Sequence, residues 1–237
     1  MEYIIDNPET ERIYQKILIA IPGMKNGITS ETMERMGITY EKNWGVSTVE
    51  LKKFAAQFEP NHLLALKLWN KKWRETMILA TMLDEPSMIT EEQMDFWIKT
   101  AENIEIVEQA VMNSFTESPF AFIKALEWCR GKKLLVKSAG LLMMGRLALT
   151  SGNDIDEMFE TFFDVLPPLA KDPKLYDLFY RSVCQLARRS SNMNNQCVSF
   201  VESLQEYIEE NAQQLGYEIY KEITSEYFQS IIRSSNN

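Results

Sequence analysis

Glycine and proline are scarce in this chain, nine and eight of 237 residues. That excludes collagen-like and Pro/Gly-rich disordered chains. It also argues against an all-β fold, which needs many glycine-bearing turns. Cysteine is scarcer still: Cys129, Cys184 and Cys197 are an odd set without close spacing, which fits neither a disulfide framework nor a zinc site. They read as buried free thiols of a reducing compartment. His62 is the sole histidine, which excludes a His-Glu-x-x-His metal site and most Ser–His or Cys–His triads. Following Pro60-Asn61 at a helix start, it reads as a capping or surface residue. Neither GxGxxG nor GxxxxGKS/T occurs, so no phosphate loop is encoded. No apolar run approaches the roughly 20 residues that span a bilayer, and Met1-Glu2-Tyr3 opens no basic-then-apolar leader. Positive charge is in deficit, 25 Lys and Arg against 34 Asp and Glu, net −9, so no global basic footprint invites nucleic acid. A soluble cytoplasmic protein is expected, with no metal, no cofactor and no membrane partner.

What is abundant is Leu, Met, Ala, Glu and Lys, the helix formers. Helical periodicity runs nearly throughout. Ile13, Ile17, Ala20 and Ile21 face one way on a first helix after Pro8, and a short second helix is expected after Ser30. Ser47-Thr48-Val49-Glu50 is a capping box, followed by the apolar face Leu51, Phe54, Ala55 and Phe58. Leu63, Leu64, Leu66 and Trp69 mark another helix, and the next runs from Trp73 to Leu83. Thr90 and Gln93 cap a helix carrying Met94, Trp97 and Ile98. Further helices are expected over 104–115, 119–129, 132–149, 155–165, 173–189, 195–211 and 217–232, with a turn at Ser151-Gly152-Asn153-Asp154. Most of the five tryptophans and thirteen methionines fall at core spacing. Pairs of helices recur at about 35–40 residues, a spacing that suits an all-α solenoid of HEAT-like pairs. A globular helical bundle accounts for the periodicity equally well. No break is Gly/Ser-rich enough for a linker, so residues 1–237 read as a single domain with acidic C-terminal helices over about 195–237.

Charge is uneven along this chain. Residues 151–237 hold 7 basic and 14 acidic side chains, whereas residues 124–150 set Lys124, Arg130, Lys132, Lys133, Lys137 and Arg146 against Glu127 alone. Smaller basic clusters are Lys71-Lys72-Trp73-Arg74 and Arg188-Arg189. On successive helix pairs such clusters can line one surface, although solvated helix faces give the same pattern. Glu105 and Glu108, three apart, share one side of a helix whose other side is Ile104, Val107 and Val111. Two carboxylates on one face suit acid–base work or the stabilisation of a cation, and an ordinary solvated face looks the same.

The stretch His62–Trp69, then Arg74–Ala80, Ile89–Trp97, Lys124–Trp128 and Leu135–Gly140, with Gly45-Val46 before them, resembles the DNA alkylation repair family. These AlkD-like, HEAT-like repeat proteins excise alkylated purines. The resemblance implies an α-α superhelix that holds duplex DNA on a basic concave face, here with Lys72, Arg74, Lys133, Lys137, Arg181 and Arg188 as the DNA-binding residues. It implies cleavage of the N-glycosidic bond of a cationic purine without a metal, a carboxylate stabilising the sugar cation. The family's Trp-Asp-x-x-Asp reads Ile104-Glu105-Ile106-Val107-Glu108 in this sequence. Glu108 is therefore the candidate catalytic carboxylate, one methylene longer, and Glu105→Gln is expected to change excision little. The family's arginine after Lys137 falls at Ser138, and a later tryptophan aligns with Arg181. Three readings follow: an alkylpurine DNA glycosylase of altered or lost activity, a non-catalytic binder of damaged or structured duplex DNA, and a protein-interaction scaffold.

Overall fold

A computed structural model describes residues 7–152 and 155–235, with side chains as far as residue 233. Met1-Glu2-Tyr3, and Asn153 and Asp154 of the expected turn, lie outside the described residues. Among the described residues all regular structure is helical apart from one isolated parallel bridge, Lys42 to Trp73. No described helix is long and apolar enough to cross a membrane. The chain falls into two compact units, residues 1–119 and 120–237.

The first unit contains α1 (Pro8–Ala20), α2 (Gly27–Arg35), α3 (Thr48–Ala55), α4 (His62–Asn70), α5 (Arg74–Leu83), α6 (Glu91–Thr100) and α7 (Ile104–Asn113). Short polar side chains set the helix starts by accepting otherwise orphaned backbone N–H groups. Asn7 takes Glu9 and Thr10, Asn61 takes Leu64, Thr90 takes Gln93 and Asn103 takes Ile106. Both halves of the Ser47–Glu50 capping box form. The second helix begins at Gly27, earlier than expected, because Asn26 caps Thr29. Helix α5 is the hub: α3, α4 and α7 pack on it, and α1 packs on α4. Arg74 to Thr81 are all buried along it. Trp69 lies flat on Trp97 at 4.2 Å between ring centroids, so this tryptophan is core.

The second unit contains α8 (Ala121–Cys129), α9 (Leu134–Thr150), α10 (Asp156–Glu160), α11 (Pro167–Ala170), α12 (Tyr176–Ala187), α13 (Ser191–Leu204), α14 (Glu210–Ile223) and α15 (Glu226–Ser235). The pairing runs in chain order, α8 on α9, α9 on α12, α12 on α13, α13 on α14 and α14 on α15, which is how a repeat protein builds a continuous core. Helix α9 is buried on nearly all sides from Val136 to Ala148, as an apolar helix without a solvent stripe must be. The helix expected over 155–165 is α10 followed by a 3₁₀ turn, Thr161–Asp164, and the one expected from 173 opens as a 3₁₀ turn, Pro173–Leu175. All three cysteines are free, and burial pushes the Cys129 and Cys184 thiols up to about 12.

Two C-terminal boundaries differ from expectation. One helix was expected to end at 211 and the next to begin at 217, with Leu215-Gly216 between them. The break instead falls at 205–209, and Gly216 lies in the middle of α14. Its role is close approach: a Cβ there would stand 2.6 Å from the Val201 carbonyl oxygen of α13. The last break, at Thr224-Ser225, is made by the Ser225 hydroxyl, which accepts from the Phe228 N–H. Replacing Gly216 by alanine should destabilise the fold by about 1–3 kcal/mol, because backbone must move. That outweighs the roughly 1 kcal/mol by which alanine favours a helix interior over glycine. Urea unfolding measures it, and an unchanged midpoint refutes the close approach.

His62 is not the cap of α4, which is Asn61. Its Nδ1 lies 2.7 Å from Oδ1 of the buried Asp84. The hydrogen bond to Asp84 raises the His62 pKa, burial opposes this, and the charges of Asp84 and Glu85 add to it. Protonation therefore favours the folded state. The contribution is fully present below the ordinary value of 6.5 and disappears as pH rises through the higher folded value. Thermal unfolding should show stability falling across that window, and His62→Asn should flatten this part of the profile. A wild-type profile that rises there refutes the pairing.

Candidate functional site

The carboxylate pair of α7 separates in its surroundings. Glu105 accepts from the Arg74 Nε at 3.0 Å and from its Nη2 at 2.7 Å. The Tyr40 hydroxyl donates to the same carboxylate at 2.5 Å. The other Arg74 nitrogen, Nη1, donates to the Val46 carbonyl at 2.7 Å and to Glu75 at 3.2 Å. Glu75, with no exposed side-chain surface, accepts in turn from the backbone N–H groups of Trp44 and Val46. The irregular segment between α2 and α3 thus has its buried backbone groups satisfied by charged side chains. Gly45 sits within it at φ 72°, where a Cβ would lie 2.1 Å from the Asn26 carbonyl oxygen, so only glycine fits.

Burial works against the Arg74 charge, but the hydrogen bonds and charge of Glu105, and then Glu75, raise its pKa above the ordinary value. Burial first, and then Glu105, push the Tyr40 phenol well above its ordinary value. Arg74 and Glu105 are therefore a pair that fixes the fold, with Arg74 only 3% exposed. Arg74 was expected among the DNA-binding residues, and Glu105→Gln was expected to change excision little; the structure gives Arg74 and Glu105 one internal task in the fold. The signal for this was weak in the sequence, since Tyr40, Glu75, Asn103 and Val46 are distant along the chain from one another or from α7.

Glu108, one turn beyond Glu105, is half-buried. Ile104, at the aromatic position of the family motif, is 37% exposed, and Ser138, at the arginine position, is buried in α9. Lys72 is exposed in the α4–α5 turn, two residues from the buried Arg74. In the second unit Lys133, Arg181 and Arg188 are exposed. Lys137 instead donates to Asp172 at 2.6 Å, and that hydrogen bond holds the Asp172 carboxyl below its ordinary range. Lys124 is buried and pairs with Glu127 at 2.6 Å.

The turn from α8 into α9 keeps its cations exposed. Arg130, Lys132 and Lys133 are exposed, and none forms an ion pair among the described residues. Lys133 is the N-cap of α9, the first turn has no acidic residue, and no side chain caps its N–H groups. Three cations at the positive end of a 17-residue helix oppose its dipole. Among the described residues no cluster of three or more His, Cys, Asp or Glu is arranged to hold a metal ion.

Helices pairing in chain order define an all-α repeat protein. A solved structure supports this. It is described as a new family of proteins related to the HEAT-like repeat DNA glycosylases with affinity for branched DNA structures. It matches with a TM-score of 0.70 at 19% identity, over 89% of this chain and 93% of that one. At that identity the likeness establishes the fold, an α-solenoid of HEAT-like repeats. Residues 23–173, well over half of the chain, match the family described as DNA alkylation repair enzyme. The chain belongs to the DNA alkylation repair enzyme family. No curated protein matches it.

Replacing Glu105 by glutamine should cost about 3 kcal/mol, the low end for breaking a buried pair because Glu105 is partly exposed. Tyr40→Phe should cost about 1 kcal/mol for its lost hydrogen bond. Denaturant unfolding of both variants tests the order; a neutral Glu105→Gln would remove the network from its structural role.

Proposed function

We propose that this protein binds duplex or branched DNA through backbone phosphates, and that alkylpurine excision is lost or strongly reduced. The observation that carries the reading is the start of α9. Arg130, Lys132 and Lys133 stand unneutralised where uncapped backbone N–H groups already favour an anion. A DNA phosphate would relieve both the charge repulsion and the missing hydrogen bonds. Arg181 and Arg188 on the same unit, and Lys72 on the other, are further exposed cations for phosphate contacts. Membership of a DNA-repair family supports DNA as the partner, and so does the affinity for branched DNA of a protein of the same fold.

The excision chemistry is disfavoured by what surrounds Glu108. A carboxylate that stabilises a sugar cation must be preorganised against it. Glu108 supplies charge, but Ile104 replaces the aromatic neighbour, and the position of the family's arginine is the buried Ser138. A misplacement of about 1 Å costs roughly 10²-fold in rate.

A second reading, a protein-interaction scaffold, is favoured by one observation. Tyr217, Tyr220 and Tyr227 are exposed on α14 and α15 in the acidic C-terminal third.

Binding to blunt and four-way-branched duplexes should weaken with salt, with a log–log slope of about −0.9 per neutralised phosphate. Lys132→Ala and Lys133→Ala should each lower that slope by about one. A flat salt response selects the scaffold reading. On duplex DNA holding N7-methylguanine, excision should be absent or slow, and Glu108→Gln should abolish whatever remains. Robust excision by Glu108→Gln removes Glu108 from the chemistry.

A further inference from the structure

Helix α2 stands apart from the rest of the first unit. It takes part in none of the helix pairings that build that unit, and none of its nine residues is buried. Near its two ends, Ile28 and Met36 are 81% and 73% exposed, although a packed helix would turn such side chains inward. A helix this short without a packed face is marginal in water, so local contacts must hold it. They are present. The Asn26 side chain caps the Thr29 N–H at 3.2 Å. Gly37, at φ 80°, closes the other end in a Schellman turn: its N–H donates to the Glu34 carbonyl at 3.0 Å, and the Ile38 N–H to the Met33 carbonyl at 2.9 Å. Glu31 and Arg35 pair one turn apart on the exposed side.

The contacts that seat α2 on the protein are sparse and gather at its first turn. The Asn26 N–H donates to the Trp44 carbonyl at 2.8 Å, and the Asn26 carbonyl and Ser30 nitrogen lie close against Gly45. Farther along, the Asn43 amide donates to the Met33 sulfur at 3.5 Å, a weak acceptor. A cavity of about 200 Å³ lies between the two, lined by Ser30, Glu31 and Glu34 on one side and by residues 38–43 on the other. Just beyond Gly37 the chain is held differently. The Thr39 carbonyl accepts from the Asn103 amide at 3.2 Å, and the Tyr40 hydroxyl donates to Glu105. The Lys42 carbonyl accepts from the Arg74 N–H at 2.9 Å, and Glu75 takes the N–H groups of Trp44 and Val46. A helix resting on local contacts thus adjoins a segment clamped by buried charge. Stability is uneven across a fold in this way, and the units that open first are those with few buried apolar contacts.

We propose that α2 is a lid that opens as one unit, Gly27 to Gly37, while the Arg74 cluster stays intact. Closed, it covers the Asn43-Trp44-Gly45 turn and the cavity beside it; open, it bares both. The inference goes beyond the proposed function and does not depend on DNA.

Hydrogen exchange of the full chain, followed by mass spectrometry of its peptides, tests it. Relative to their intrinsic rates, amides of residues 27–37 should exchange about 100-fold or more faster than those of α5, which wait for a far costlier opening. Low urea should speed α5 and leave 27–37 nearly unchanged, because a local opening exposes little surface. Asn26→Ala removes a helix cap and should speed exchange over 27–37 about fivefold. Ile78→Val, in the buried face of α5, should speed α5 about fivefold and leave 27–37 unchanged, since the lid opens without that core. Protection of 27–37 equal to that of α5 overturns the inference. So does an equal response of both to urea or to Ile78→Val, because α2 would then open only with the whole unit. Exchange over 27–37 that ignores Asn26→Ala overturns it as well.

Discussion

The first unit depends on a buried ion cluster, Arg74 between Glu75 and Glu105. Taking three charges out of water is costly, and mutual attraction repays this only when the remaining donors and acceptors are satisfied. Each is satisfied here. Arg74 directs one edge at Glu105 and its remaining nitrogen at Val46 and Glu75. Glu75 takes two backbone N–H groups, and Glu105 takes the Tyr40 hydroxyl. The irregular segment between α2 and α3, the start of α5 and the start of α7 are thereby held in one arrangement. Charge is used here in place of a strand ladder: one isolated bridge, Lys42 to Trp73, is all the β pairing the segment makes among the described residues.

The cluster also separates two carboxylates that a helical wheel places together. Glu105 and Glu108 differ by one turn of α7 and by nothing in residue type. Arg74, 31 positions earlier, holds the first through its Nε and Nη2, although both carboxylates are half-buried. Glu105 is then the anchor that orients α7, and Glu108 inherits its position from that anchor.

Periodicity and caps carried most of the fold. The Ser47–Glu50 box and the Thr90 cap stand as read, because both are local: a side chain and a backbone group three residues away decide them. The family resemblance lay in ordered apolar strings that the core does bury, among them Leu64 to Trp69 and Ile78 to Ala80. What stayed illegible was non-local. Gly216 looks like a helix break until the Val201 carbonyl is brought against it. Arg74 looks like one of three solvated cations until Glu105 and Glu75 enclose it. The site residues were legible only as a list of charges, since sequence spacing does not say which cations the fold neutralises internally.

That division matters more for nucleic-acid recognition than net charge does. Lys124, Lys137 and Arg189 each have a carboxylate partner within the second unit, Glu127, Asp172 and Asp156. An ion pair of this kind removes a cation from competition for phosphate, because binding would have to break it first. The apparent surplus of positive charge over residues 124–150 therefore shrinks, on folding, to the half-buried Arg146 within α9 and the short turn that opens that helix. There the surplus is concentrated rather than spread, and it coincides with the uncapped end of the longest described helix. On the proposed function, a phosphate would find both exposed cations and uncapped backbone N–H groups at that turn. Under the proposed function an acidic protein arranged this way would offer DNA few points of contact, and geometry would then govern which DNA shapes can reach them.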